Sequence, residues 1–269
     1  MSKLLVVVID SGTGRSLPLV NQLKTRGDLE VQLIAANMLQ TKDDLRFSKI
    51  QYSEFDTLKY LGRSLSLPEI GCASSHNQAR VLLAASPIGG VVLEDDARIC
   101  DLDSFVTLSV FFLASRKKDS AVLNLSNPLP LTEMFSNSHG NDLYYTRGVC
   151  PTPLAVGYVT TTMAAERMVA NNVPIQYVSD WPSKGVSFFS AGHGLVHHGD
   201  GQTVSTIDPT QISSRNNRSF SKALAILLGI DFLFHMIKFG FNTSYFRKVW
   251  WVTFSHKVSF LRGYRHYVK

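Results

Sequence analysis

Cysteine is scarce. Cys72, Cys100 and Cys150 are odd in number and scattered over 269 positions. That spacing implies neither a disulfide framework nor a paired CxxC metal site, and it suits a reducing cytoplasm. Charged residues are also sparse, at 18% against the usual quarter. With 45% hydrophobic residues the chain can bury a full core, which excludes a disordered protein. A long uncharged apolar run is missing as well. The nearest approach, ALAILLGIDFLFHMIKFGF, is broken by Asp231, His235 and Lys238, short of the roughly 20 apolar residues of a spanning helix. The opening MSKLLVVVIDSG is too short and wrongly flanked for a secretory signal and reads as a first strand.

Cations are present but uneven. From Arg215 to Lys269 ten Lys and Arg face a single acid, Asp231, which makes that stretch +9. The remainder carries 17 cations against 20 acids, or −3. The same stretch holds 13 of the 28 aromatic residues. The basic character therefore belongs to a tail, and an acidic body argues against nucleic acid as a partner. Two domains are expected, a body over 1–215 and a basic, aromatic, helical tail over 216–269. Aromatics interleaved with cations suit a segment lying on an anionic membrane surface, where each Lys or Arg contributes about 1 kcal/mol. A spanning helix over 224–241 and a helical subdomain packed on the body are the alternatives.

Along the body, residues 3–9 and 29–37 read as strands. RSLPLVNQLKTRG between them has helical spacing at Leu19, Val20 and Leu23, with Gly27 as its stop. This β-α-β opening predicts an α/β fold with parallel strands. In SLPEIGCASSHNQARVLLAAS, Ser66 and Glu69 match a capping box and Pro68 suits a first turn. Ile70, Ala73, Asn77, Val81 and Ala84 then recur on one face. A strand is expected at 88–93, a helix from Leu102 to Arg116 and a strand at 121–126. The polar stretch 132–150 reads as a long loop. A short strand and helix follow in AVGYVTTTMAAERMVANN, then strand and turn material in VSFFSAGHGLVHHGD.

Chemistry concentrates in GGVVLEDDARI. An apolar strand runs directly into Glu94, Asp95 and Asp96, three carboxylates that raise one another's pKa unless a cation neutralises them. Strand ends in open α/β sheets are where ligands bind, and hard oxygen ligands suit Mg²⁺ or Mn²⁺ shared with a diphosphate. A solvated turn capping the next helix is the alternative. His76 follows Cys72 by four residues and precedes Arg80 by four, so the three share a helix face. A lone Cys-x₃-His pair is not a zinc site. The loop DSGTGRS lacks the lysine of a P-loop and the third glycine of a dinucleotide fingerprint.

Together, LSLPEIGCASSHNQAR and VVLEDDARI resemble glycosyltransferase family 25, whose pattern is an E-I-G-C-x-x-S-H helix followed by L-E-D-D. Glu69, Ile70, Gly71, Cys72, Ser75, His76, Leu93, Glu94, Asp95 and Asp96 all match, and the likeness extends more loosely over residues 3–207. The resemblance implies a GT-A-like, Rossmann-related fold. It implies an inverting enzyme that moves a hexose, galactose first among them, from a UDP-sugar to a lipooligosaccharide or lipopolysaccharide acceptor. Asp96 is then the expected cation ligand, with Glu94 and Asp95 holding metal, water or ribose. Asp10 and Arg15 fall at the nucleotide, with a plain β-turn before the helix as the alternative, and His76 contacts either the acidic loop or the donor. A late histidine, His198 or its neighbour His197, is the expected third metal ligand. Inversion needs a general base. Asp180 in VSDWPSKG leads, ahead of Asp142 and Asp200, with an Asx-type turn as its alternative reading. The implied setting is the cytoplasmic face of the bacterial inner membrane, with a lipid-linked acceptor. A metal-dependent nucleotidyl or phosphoryl transferase and a non-catalytic glycan-binding relative are the rival readings.

Overall fold

The computed structural model describes residues 3–61, 63–126, 132–139, 143–148, 155–179 and 184–199. The chain divides after Val204 into two units, and every described residue belongs to the first, Met1–Val204. The expected tail, Asp180, Asp142 and Asp200 lie outside the described residues.

Ten strands and six helices are described. The first half runs β1 (Leu4–Asp10), α1 (Leu17–Lys24), β2 (Leu29–Ala35), α2 (Lys42–Phe47), α3 (Glu54–Leu61), α4 (Leu67–Ala84) and β3 (Gly90–Glu94). The second half runs β4 (Ala97–Ile99), α5 (Leu102–Ser115), β5 (Ala121–Asn124), β6 (Thr132–His139), β7 (Leu143–Gly148), β8 (Gly157–Thr160), α6 (Thr162–Asn171), β9 (Ser187–Ala191) and β10 (Val196–His198). Eight strands form one sheet in the order β2-β1-β3-β8-β5-β9-β7-β6. β2, β1 and β3 pair in parallel, and so do β5 and β9; β8 and β7 run against their neighbours. The result is a mixed α/β domain around a large central sheet.

The period of two along β1 sorts its side chains onto two faces. Leu4, Val6 and Val8 pack with Val91 and Leu93 of β3 against α1 and α5, through Leu23, Phe105 and Phe112. Val7 and Ile9 point the other way, with Val92, onto α4 and α6 through Ala79, Leu83, Ala165 and Met168. Helices therefore cover both faces, which explains why β1 and β3 read as unbroken apolar runs.

The helix starts follow their sequence signals. Ser66 caps α4 by accepting from the Glu69 amide, and the Glu69 carboxylate accepts from the Ser66 amide at 2.9 Å. Two expectations shift. α1 ends at Thr25, whose amide reaches the Gln22 carbonyl, rather than at Gly27. The buried face of α4 passes through Ile70, Ala73, Asn77, Arg80 and Leu83, so Val81 is exposed. One expectation fails. Within 132–150, residues 132–139 and 143–148 are not loop: they are β6 and β7, which pair antiparallel with an irregular register. Their polar composition hid the strands because β-pairing depends on neighbours more than on apolar content.

Candidate functional site

The acidic triplet begins at the C-terminal end of β3, between β1 and β8. Glu94 is its last residue, and Asp95 and Asp96 form the turn into β4. The loop after β1 wraps over this turn. Gly12 and Gly14 have φ of +76° and +79°, a left-handed path that glycine takes without strain. Asp10 closes the loop locally, its Oδ1 accepting from the Gly12 amide at 3.1 Å. Ser11 donates to Asp95 Oδ2 through its amide, at 3.3 Å, and through its hydroxyl. Arg15 Nη2 lies 3.0 Å from Asp95 Oδ1 and 2.8 Å from Asp96 Oδ2. The two groups expected at the nucleotide thus have different places. Asp10 shapes the loop, and Arg15 is itself the cation against two of the acids.

The third acid is held from the other side. His76, fully buried on α4, places Nε2 3.0 Å from Glu94 Oε1 and Nδ1 3.1 Å from the Tyr158 hydroxyl of β8. Arg80 Nε donates to that same hydroxyl at 3.1 Å. Arg80 can only donate, so Tyr158 accepts from it and is free to donate to His76 Nδ1. The neutral imidazole then donates Nε2–H to Glu94. Arg80 also donates to the Ser179 carbonyl at 2.6 Å and to Asn77 Oδ1 at 3.3 Å. One buried guanidinium therefore connects the acidic turn to the residue just before Asp180.

The antiparallel pair of β4 and β10 delivers the late histidine. His198 stands opposite Ala97 in the register, and its Nε2 lies 3.2 Å from Asp96 Oδ2. His197 stands opposite Arg98. Among the described residues the site thus gathers Arg15, His76, Glu94, Asp95, Asp96 and His198, with Asp10 at its rim.

The electrostatics separate the carboxylates. Burial pushes Glu94 upward, but the His76 hydrogen bond and the electrostatic pull of His76, His198 and Arg15 outweigh it, leaving its pKa below the ordinary value. Asp96 is raised, first by burial and then by the charge of Glu94, with His198 and Arg15 offsetting only part. Three carboxylates against one guanidinium leave the cluster near −2 when the imidazoles are neutral. Asp96 Oδ1 and Arg15 Nε are buried with no hydrogen-bond partner. A buried carboxylate oxygen without a partner is costly, and a ligand or cation is what relieves it.

A second group of potential metal ligands deserves separation from this one. Cys72, His76 and Glu94 bring one ligand atom each to within 4.8 Å of one another, the one such trio among the described residues. Both His76 nitrogens are already engaged, by Tyr158 and Glu94, and Cys72 Sγ lies 3.5 Å from Ser179 Oγ. Glu94, Asp96 and His198 are less tightly drawn together, and Arg15 holds the space between Asp95 and Asp96.

Sequence reasoning overlooked Ser11 and Tyr158. Ser11 lay inside a loop read for nucleotide contacts, and Tyr158 inside an apolar strand where nothing marks its hydroxyl. Arg80 was marked by its spacing from His76 but given no role.

An α/β sheet with a cluster of acids at its strand ends has the architecture in which ligands bind at the carboxyl edge of the sheet. The family follows from the sequence as a whole. The model of glycosyltransferase family 25 (LPS biosynthesis protein) matches residues 1–181, well over half the chain, and the chain belongs to that family. Membership implies glycosyltransferase activity in lipopolysaccharide biosynthesis. No curated protein matches the sequence at a significant level. His198 lies beyond the matched residues, yet its ring reaches Asp96.

Proposed function

We propose that the protein transfers a hexosyl group, galactose first among candidates, from a UDP-sugar to a lipopolysaccharide or lipooligosaccharide acceptor with inversion at the anomeric carbon. The observation that carries this reading is the charge of the acidic turn. Three carboxylates against Arg15 leave a deficit of about two positive charges, and one oxygen of Asp96 is buried and unpartnered. The donor set suits Mn²⁺ or Mg²⁺, since carboxylates and imidazole both ligate Mn²⁺. Asp96 and His198 would hold that ion, with Glu94 the third ligand. The bound ion would supply charge neutralisation for a departing diphosphate.

The remaining steps fall to the chain itself. In a one-step displacement the acceptor oxygen bonds to the anomeric carbon as the bond to UDP breaks, and the acceptor proton passes to a base. Asp180 is the proposed base, and Arg80 steadies the backbone beside it through the Ser179 carbonyl. Asp95, fixed by Ser11 and Arg15, lines the nucleotide side, with Asp10 at the loop. The His76 contact keeps Glu94 ionised and oriented.

The basic, aromatic tail supports a location on the cytoplasmic face of an anionic membrane, beside a lipid-linked acceptor. No helix among the described residues is long and apolar enough to cross a membrane. The testing experiment incubates the purified chain with UDP-galactose, UDP-glucose, UDP-N-acetylglucosamine and UDP-N-acetylgalactosamine, with and without Mn²⁺. Release of UDP from one of them, lost in Asp96→Ala, supports the reading. Release of diphosphate from a nucleoside triphosphate instead would favour the nucleotidyl transferase.

A further inference from the structure

The strand ends opposite the acidic turn carry a polar cavity of the reverse charge. β3 and β5 both run antiparallel to β8, so they point the same way, and the acidic turn follows the end of β3. The cavity lies at the starts of β5 and β9, where Ser120 and Ser187 line it. The four residues of β5, about 13 Å of strand, separate the two levels. The cavity has a volume of about 480 Å³, within the range of small-molecule sites.

Its walls are cationic. Arg116, Lys118, Arg147 and Arg167 line it against one acid, Asp119, an excess of three positive charges. Arg116 is fixed over the Phe189 ring at 4.7 Å, donates to the Tyr145 hydroxyl at 3.3 Å and pairs with Asp119 at 3.3 Å. Arg167 is held by the Gly185 carbonyl at 2.7 Å. Among the described residues no carboxylate lies within ion-pair distance of Lys118 or Arg147. Like charges crowded this way repel, so the arrangement is stable in proportion to the anion it meets.

Two independent features point to a ligand. Ser120 is only 9% exposed, it lines the cavity, and its hydroxyl is buried with no hydrogen-bond partner. A buried, unpaired hydroxyl calls for an external acceptor. Met163, in the first turn of α6, also lines the cavity, and that turn has no acidic residue to offset the positive end of the helix dipole.

We propose that this cavity is a binding site for a phosphoryl group carried on an organic molecule. Guanidinium forks and a lysine point charge match tetrahedral phosphate oxygens, and the Ser120 hydroxyl donates to one of them. The volume exceeds that of inorganic phosphate and leaves room for the carrier. The carrier is either a soluble phosphorylated compound or a phospholipid headgroup. The site does not depend on the acidic turn, so it stands or falls separately from the proposed transfer reaction.

The test uses the full chain and two probes. Titration with inorganic phosphate against chloride at matched ionic strength reports the soluble arm. Co-sedimentation with phosphatidylglycerol vesicles against phosphatidylcholine vesicles reports the headgroup arm. The variant is Lys118→Ala/Arg147→Ala, which removes exposed, unpaired cations and leaves the core untouched. Lys24→Ala/Lys42→Ala is the charge-matched control, and Ser120→Ala is the second variant. About tenfold weaker phosphate binding in the cavity variant and in Ser120→Ala, but not in the control, supports the site with a soluble ligand. Loss of phosphatidylglycerol binding in the same two variants, again with the control unchanged, supports it with a headgroup. Equal behaviour of the cavity variants and the control in both arms overturns the proposal. Mn²⁺-dependent UDP binding is expected to be unchanged throughout.

Discussion

Arg15 and Asp96 are 81 residues apart in sequence and 2.8 Å apart in the fold. The same guanidinium nitrogen reaches Asp95 at 3.0 Å, so one cation from the β1 loop holds two adjacent carboxylates. The pairing turns a repulsive sequence into a stable turn. It also means that Arg15→Met leaves two largely buried acids without their partner. The expected cost is about 2–4 kcal/mol, below the range for fully buried pairs because Arg15 is partly solvated. Thermal unfolding checks this, and the proposed metal site predicts that added Mn²⁺ recovers part of the loss.

Tyr158→Phe removes one oxygen and strands two buried groups, Arg80 Nε and His76 Nδ1. Each unsatisfied group costs about 1–3 kcal/mol, so a loss of about 2–6 kcal/mol is expected. Wild-type His76 should show the Nε2–H tautomer by long-range ¹H–¹⁵N correlation, and the variant should lose that preference. A doubly protonated ring in the wild type at neutral pH would rule out the donor order from Arg80 to Glu94.

Glu69 supplies a pH-dependent test away from the acidic turn. Burial raises its pKa, but hydrogen bonds from Arg63 and Ser66 together with the Arg63 charge more than offset this, so it sits below its usual value of 4.5. A depressed carboxylate stabilises the fold above its unfolded pKa and loses that contribution as pH falls through the folded one. Glu69→Gln should therefore cost about 1 kcal/mol at pH 7, and the gap should close as pH falls below about 4.5. A gap that persists unchanged to pH 3 would assign the effect to packing.

At Gly90, β3 packs closely against its neighbours. A Cβ there meets the Leu5 carbonyl oxygen of β1 and the Leu83 side chain of α4. Gly90→Ala should destabilise by about 3 kcal/mol. Gly27→Ala, where a Cβ meets nothing within 4 Å, should stay within about 0.5 kcal/mol. Chemical denaturation of the two variants decides it.

The sequence was most legible where local signals agreed. The Ser66–Glu69 capping box, Pro68 and the apolar run into Glu94 marked α4 and β3, and the likeness carried by those two elements led to the family. The adjacency of Glu94, Asp95 and Asp96 flagged the site directly. The reach of Arg15, the Tyr158 hydroxyl and the pairing of β10 with β4 that brings His198 to Asp96 are products of tertiary register. No single-chain pattern encodes them. The β6–β7 hairpin was illegible for a related reason, since its strands are polar and sit at the edge of the sheet. The antiparallel insertion of β8 between β3 and β5 is likewise a matter of topology, which local sequence signals do not carry.

The central claim is that the acidic turn serves glycosyl transfer from a nucleotide sugar. Its most direct measurement is UDP release from UDP-sugars by the purified chain with Mn²⁺, run beside Asp96→Ala. The account predicts UDP release from at least one donor and a fall of about a hundredfold or more in the variant. No UDP release from any donor, or equal release by wild type and Asp96→Ala, would contradict it.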